Sequence, residues 1–91
     1  SGTTNGAPPL GKSQSYDKWS QVLSSEFEQL RQQAQRGEST LIDQYGATNP
    51  AEFFAVSSEV FFERPEELKG KHPALYHELQ QFYSVDPASW S

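Results

Sequence analysis

A small all-α bundle of about four helices, reached through a long N-terminal loop, is the fold class that this sequence predicts, and three observations predict it. Apolar residues recur at threes and fours along most of the chain, the spacing that lines one face of a helix. Proline heads three successive segments of this kind, at Pro50, Pro65 and Pro73, where a first helical position has no use for the missing N–H. Aromatic residues make up 13% of the 91 residues against 34% for all hydrophobic types, so a thin core is built from a few side chains that each bury much area. That balance favours a packed chain over a disordered one, and the length allows one small domain or part of a larger one.

Residues 1–14, SGTTNGAPPLGKSQ, hold three of the six glycines and two of the six prolines, and read as a loop or linker leader. From Tyr16 the pattern changes: Tyr16, Trp19, Val22, Leu23, Phe27, Leu30 and Ala34 form one apolar stripe, which predicts a helix ending near Gly37. Ser13 or Ser15 is placed to cap it, and Gly37 to supply the left-handed residue that commonly follows a helix. Residues 38–48 form a connection. A second helix is predicted from Asn49 as N-cap and Pro50 as first residue to about Arg64. Phe53, Phe54, Val56, Val60, Phe61 and Phe62 make it apolar around much of its girth, so it should be the central and most buried helix. Pro65 opens a short third helix, PEELKG. His72-Pro73 opens a fourth, with Leu75, Tyr76, Leu79, Phe82 and Tyr83 on one face until Asp86-Pro87 stops it. The expected organisation is therefore leader 1–14, helical part 15–87 and tail 88–91.

Composition excludes several function classes. The formal charge is −5 with seven dispersed Lys and Arg, which argues against nucleic acid and against acidic membrane surfaces as partners. No apolar run approaches the roughly 20 residues of a membrane span, and no secretion signal is visible at the start. There is no cysteine, hence no disulfide, thiolate metal site or cysteine nucleophile, which fits a reducing compartment. A cytoplasmic location is expected.

Few residues carry chemistry. His72 and His77 would lie about 140° apart on one helix, so they cannot chelate one ion from a single face and read as surface or partly packed histidines. No serine has a context that exposes or activates it for nucleophilic catalysis. Glu52, three positions after Asn49, stands where the glutamate of a capping box reaches back to the N-cap N–H. Glu59 returns to nearly the same face with a drift of about 20°. Two carboxylates on one face of an otherwise apolar helix are costly if buried unpaired, and can instead face a partner, a cation or another part of the protein. Tyr45 lies in a Tyr-Gly turn, where its phenol either reaches the start of the helix or packs on the core.

The segment DQYGATNPAEFFAVSSEVFF, followed by ERPEELKGKHPALYHELQQFY and Asp86-Pro87, resembles the C-terminal part of the Mlc titration factor A family of bacterial zinc-dependent peptidases. The likeness covers nearly the whole chain, the leader GTTNGAPPL included, and is strongest over residues 43–87. The stretch Tyr45 to Ala55 is also similar to the catalytic domain of anthrax lethal factor, a gluzincin. The resemblance implies a zincin-like domain in which the two histidines of an HExxH helix and a glutamate from a later helix hold zinc. It places that third ligand at Glu52, makes Tyr45 the phenol that stabilises the developing oxyanion, and gives Glu59 and Asn49 supporting roles. The chain departs from the pattern in two ways: no HExxH occurs in it, and Val56 stands where lethal factor has a further acid one turn after its ligand. The expectation is a fragment that begins after the motif, binds no zinc alone and is inactive alone, with zinc and a peptide substrate belonging to the full-length protein. Loss of the motif helix should leave an apolar face uncovered, giving a marginal fold or self-association. The alternative reading is a metal-independent interaction module that binds a transcriptional repressor of sugar uptake, as the family name implies.

Overall fold

The computed structural model describes residues 10–90, with side chains from Tyr16 to Trp90. Four helices follow in order: α1 (Leu10–Gln35), α2 (Pro50–Glu63), α3 (Pro65–Lys71) and α4 (Pro73–Tyr83). A 3-10 turn, Gln44–Ala47, lies between α1 and α2, and a second, Pro87–Ser89, follows α4. The described residues contain no strand, so the all-α expectation holds.

The first helix is longer than its apolar stripe. It starts at Leu10, so Ser13 and Ser15 lie inside it instead of capping it, and residues 10–14 of the expected leader are helical. Residues 1–9 of that leader lie outside the described residues. The physical reason is cooperativity: a single Gly11 costs about 1 kcal/mol in a helix, while extending an existing helix by a turn needs no new nucleus. The other end matches expectation. Gly37 has φ 71°, its N–H donates to the Ala34 carbonyl at 3.1 Å, and the Glu38 N–H donates to the Gln33 carbonyl at 3.0 Å. These are the paired bonds of a glycine-terminated helix.

The remaining helices are set by prolines. Asn49 caps α2, its side-chain oxygen accepting the Glu52 N–H at 2.9 Å, with Pro50 at the first turn. Arg64 closes α2 by donating its N–H to the Val60 carbonyl and opens α3 by accepting from the Leu68 N–H. His72 repeats the arrangement between α3 and α4. Both residues precede a proline, which keeps them out of the helical region, and both have φ −135°, so each makes a corner between successive helices. The Arg64 guanidinium forks onto Glu67 at 2.6 and 2.8 Å. That bond holds the Glu67 carboxyl below its ordinary range and raises Arg64, but both groups are at the surface, where such pairs stabilise little.

The second helix is central, as its girth predicts: Phe53, Val56, Ser57, Val60 and Phe61 are all buried. Val22 and Leu30 of α1, Ile42 of the α1–α2 connection, Leu68 of α3, and Leu75, Tyr76 and Leu79 of α4 complete the core. Rings of α1, α2 and α4 join into one aromatic ladder, Trp19–Phe54–Tyr83–Phe61–Tyr76, with successive centroids 5.0–6.3 Å apart. His72, expected to be surface or partly packed, is partly packed. Its Nδ1 lies 2.8 Å from Glu26 Oε1, and the two side chains, 18% and 15% exposed, tie the start of α4 to α1. His77 is exposed.

A buried phenol ties down the chain beyond α4, together with the packing of Val85, Pro87 and Ala88. Tyr76, 1% exposed, donates from its hydroxyl to Asp86 and accepts the Ala88 N–H at 2.9 Å. Burial first, and then the Asp86 bond, raises the Tyr76 pKa above the ordinary 10.0. An unfolded chain therefore releases this proton at lower pH than the folded one. The contribution is fully present below about pH 10 and is lost as pH rises from there toward the folded value. Tyr76→Phe should cost about 1–3 kcal/mol, since it leaves the Ala88 N–H without its acceptor. Urea unfolding between pH 9 and 11 should show a shallower alkaline loss in the variant than in the parent; equal slopes would exclude Tyr76 as the source.

Candidate active site

The connection between α1 and α2 is a built element rather than a slack loop. Thr40 Oγ1 donates to the Ile42 carbonyl at 2.7 Å and Gln44 Nε2 donates to the Glu38 carbonyl at 2.6 Å. Ile42, 2% exposed, plugs the segment into the core. Asp43 then caps the 3-10 turn: its Oδ1 accepts the Tyr45 N–H at 2.8 Å and its carbonyl accepts the Gly46 N–H at 2.9 Å. Tyr45 in turn accepts the Thr48 N–H at 3.1 Å, which leads the chain into the Asn49 cap.

Gly46 is where this turn meets α1 and α2. It is buried, and a Cβ there would lie 2.5 Å from Val56 Cγ2 and 3.3 Å from both Leu30 Cδ2 and the Phe53 Cα. Its φ is not positive, so the requirement is space for a close approach, not an unusual backbone angle. With Gly46 seated on α2, the neighbouring Tyr45 side chain points outward, 58% exposed. Its hydroxyl reaches Glu52 Oε2 at 3.4 Å.

Glu52 stands in the first turn of α2, where the helix dipole favours a carboxylate, and is half-buried. The capping box forms in one direction only. Asn49 takes the Glu52 N–H, but among the described residues the Glu52 carboxylate bonds to the Tyr45 phenol and not back to the Asn49 N–H. Glu59 is exposed on the same side, two turns and about 10.5 Å further along the axis, and does not join the Tyr45–Glu52 pair. Val56, one turn after Glu52, is buried against Gly46. Ala51 and Ala55 lie beside Glu52 on one side of the helix and are exposed.

A cleft of about 510 Å³ lined by Trp19, Leu23, Phe27, Phe53, Phe54 and Phe82 lies elsewhere. Phe54 and Glu52 are about 160° apart around α2, so this apolar cleft is not the surface around the Tyr45–Glu52 pair. The described residues contain no group of three or more His, Cys, Asp or Glu side chains able to hold a metal. A catalytic zinc site takes three protein ligands and one open position; Glu52 fits as one such ligand and no more. No described helix is long and apolar enough to cross a membrane.

Sequence reasoning singled out Tyr45, Asn49, Glu52 and Glu59, and the structure brings the first three together. It missed Asp43 and Gly46. The Asp-x-Tyr spacing is the signal for an Asx turn, and could have found Asp43. The contact of Gly46 with Val56 and Leu30 has no local signal.

A carboxylate in the first turn of a helix, paired with a phenol from the preceding turn, does not by itself name a function, and comparison with known proteins gives the class. Residues 1–84 match the family of glucose-regulated metallo-peptidases M90, and the chain belongs to that metallopeptidase family. It is similar to an uncharacterised protein of Synechocystis, with 45% identity over 86 residues that make up 94% of this chain and 31% of the relative. It is likewise similar to the Mlc titration factor A proteins of Yersinia pestis and Yersinia pseudotuberculosis, with 38% identity over 88 residues, 94% of this chain and 32% of each relative. The chain thus spans about a third of the length of these curated relatives. No solved structure matches it.

Proposed function

We propose that these residues are the C-terminal part of a cytoplasmic zinc peptidase, supplying one metal ligand, Glu52, and one oxyanion donor, Tyr45, to a site completed by an HExxH helix that the 91 residues do not contain. The observation that carries the reading is the Tyr45–Glu52 pair, with its hydroxyl–carboxylate distance of 3.4 Å, set by two capped turns in a chain of metallopeptidase kinship. When bound, zinc supplies Lewis acidity toward the scissile carbonyl. Glu52 offers a carboxylate whose own backbone is already fixed by Asn49, so little ordering is left for binding to accomplish. Tyr45 offers a neutral donor that can hydrogen-bond the negative charge developing on the carbonyl oxygen. The small Ala51 and Ala55 beside Glu52 leave room for another helix to approach the carboxylate closely. Glu59 and Asn49 act in support, Asn49 through its cap.

The test is hydrolysis of a chromogenic aminopeptidase substrate. The 91-residue chain alone should show no zinc-dependent turnover, whereas the same chain rejoined to a segment carrying HExxH should show turnover that a chelator removes. Turnover by the isolated chain would overturn the reading, as would sub-micromolar zinc binding by that chain in calorimetry, lost on Glu52→Ala. A second reading draws on the name of the Yersinia relatives: a metal-independent module that binds a transcriptional repressor of sugar uptake, for which the apolar cleft at Trp19 and Phe82 offers a surface. Repressor capture by the 91 residues, unaffected by chelator, would favour it.

A further inference from the structure

We propose that Asp43 and Gly46 are positioning residues that hold the Tyr45 phenol over the Glu52 carboxylate; their catalytic consequence rests on the peptidase reading above, and their geometric consequence does not. Tyr45 is 58% exposed, so packing alone leaves its ring several rotamers in open solvent. What fixes the backbone beneath it is a pair of independent constraints. Asp43 Oδ1 holds the Tyr45 N–H at 2.8 Å, setting the orientation of that peptide. Gly46 lies so close to Val56, Leu30 and the Phe53 Cα that the backbone of the preceding residue, Tyr45, has little freedom to lift away. Val56 belongs to the same helix as Glu52, one turn on. The contact at Gly46 therefore measures the height of the phenol directly against the helix that carries the carboxylate. One constraint orients the Tyr45 peptide and the other sets its distance from α2, so the phenol reaches Glu52 from a fixed base through its side-chain rotamer alone, which narrows the aim that a donor toward a developing charge requires.

A turn cap with a merely structural role would stabilise the connection without setting the phenol. Proton NMR of the 91-residue chain separates the two roles through cross-peaks between the Tyr45 ring and the Glu52 side chain, with the Trp19–Phe82 ring contact, centroids 5.1 Å apart, as the internal reference. Losing one Asx cap of ordinary strength shifts a local equilibrium about fivefold. Asp43→Ala should therefore weaken the Tyr45–Glu52 cross-peaks, by at most about fivefold, while the Trp19–Phe82 cross-peaks stay unchanged. Asp43→Asn, which keeps the acceptor oxygen, should restore them, and Gly46→Ala should weaken them through the other constraint. Full-strength Tyr45–Glu52 cross-peaks in Asp43→Ala overturn the assignment, and so does loss of the Trp19–Phe82 cross-peaks in the same variant, which would mark Asp43 as generally structural. In the zinc-loaded protein that carries HExxH, Asp43→Ala should lower kcat about tenfold with KM nearly unchanged, as expected when a donor acting in the transition state is misaimed. A raised KM at unchanged kcat would overturn the catalytic half. Absence of hydrolysis in the unmutated protein would refute the peptidase reading and leave the NMR result standing.

Discussion

Tyr45→Phe, made in the 91 residues rejoined to an HExxH segment, should lower kcat by about 10²–10³ while leaving KM and bound zinc unchanged, the loss typical of one oxyanion donor. Glu52→Ala in the same protein should remove both zinc and activity. The two substitutions divide because the two side chains have different duties in the proposed site. The phenol is 58% exposed, and deleting a surface hydroxyl changes stability by less than about 0.5 kcal/mol, so a kinetic loss in Tyr45→Phe cannot come from unfolding. The carboxylate is half-buried at a helix start whose N–H is already capped by Asn49, so Glu52→Ala should also leave α2 folded and act through the metal. Steady-state kinetics with metal analysis checks both. Stoichiometric zinc in Glu52→Ala would remove Glu52 from the ligand set, and a Tyr45→Phe effect confined to KM would make the phenol a substrate contact.

What was legible in the sequence follows the range of each interaction. The starts of α2, α3 and α4 were marked by Pro50, Pro65 and Pro73, because a proline constrains its own backbone and that of the residue before it. The end of α1 was marked by Gly37 for an equally local reason. The start of α1 was not, since helix extension through Leu10–Ser15 follows from the long helix beyond it and leaves no local mark. The candidate site divides in the same way. Asn49, Glu52 and Tyr45 could be proposed from spacing and family likeness. The turn of the Glu52 carboxylate toward Tyr45 and away from the Asn49 N–H depends on where the 3-10 turn is seated. That seat is made by Leu30, Phe53 and Val56, and is a tertiary fact. The His72–Glu26 contact, across 46 residues of sequence, has no local signal at all.

Phe61→Ala should be the most damaging single substitution for stability, at about 3–5 kcal/mol. Phe61 is fully buried and lies 5.0 Å from the Tyr76 ring and 5.8 Å from the Tyr83 ring, centroid to centroid, so truncation opens a cavity between α2 and α4 that these helices would have to collapse to fill. A domain of ordinary stability has about 5–15 kcal/mol in total, and a chain this small sits low in that range. Thermal unfolding should therefore move down by on the order of 20 °C. Phe82→Ala is the control. Phe82 stacks on Trp19 at 5.1 Å and meets Phe54 and Tyr83 edge-on, yet it is 57% exposed, so solvent fills the space it leaves and the cost should be about 1 kcal/mol. Equal costs would mean that the exposed rim of the aromatic ladder is as much a part of the core as its centre. The difference matters for the site because α2 carries Phe61 at its buried end and Glu52 at its first turn. The position of the carboxylate is thereby tied to packing some nine residues and about 13 Å away.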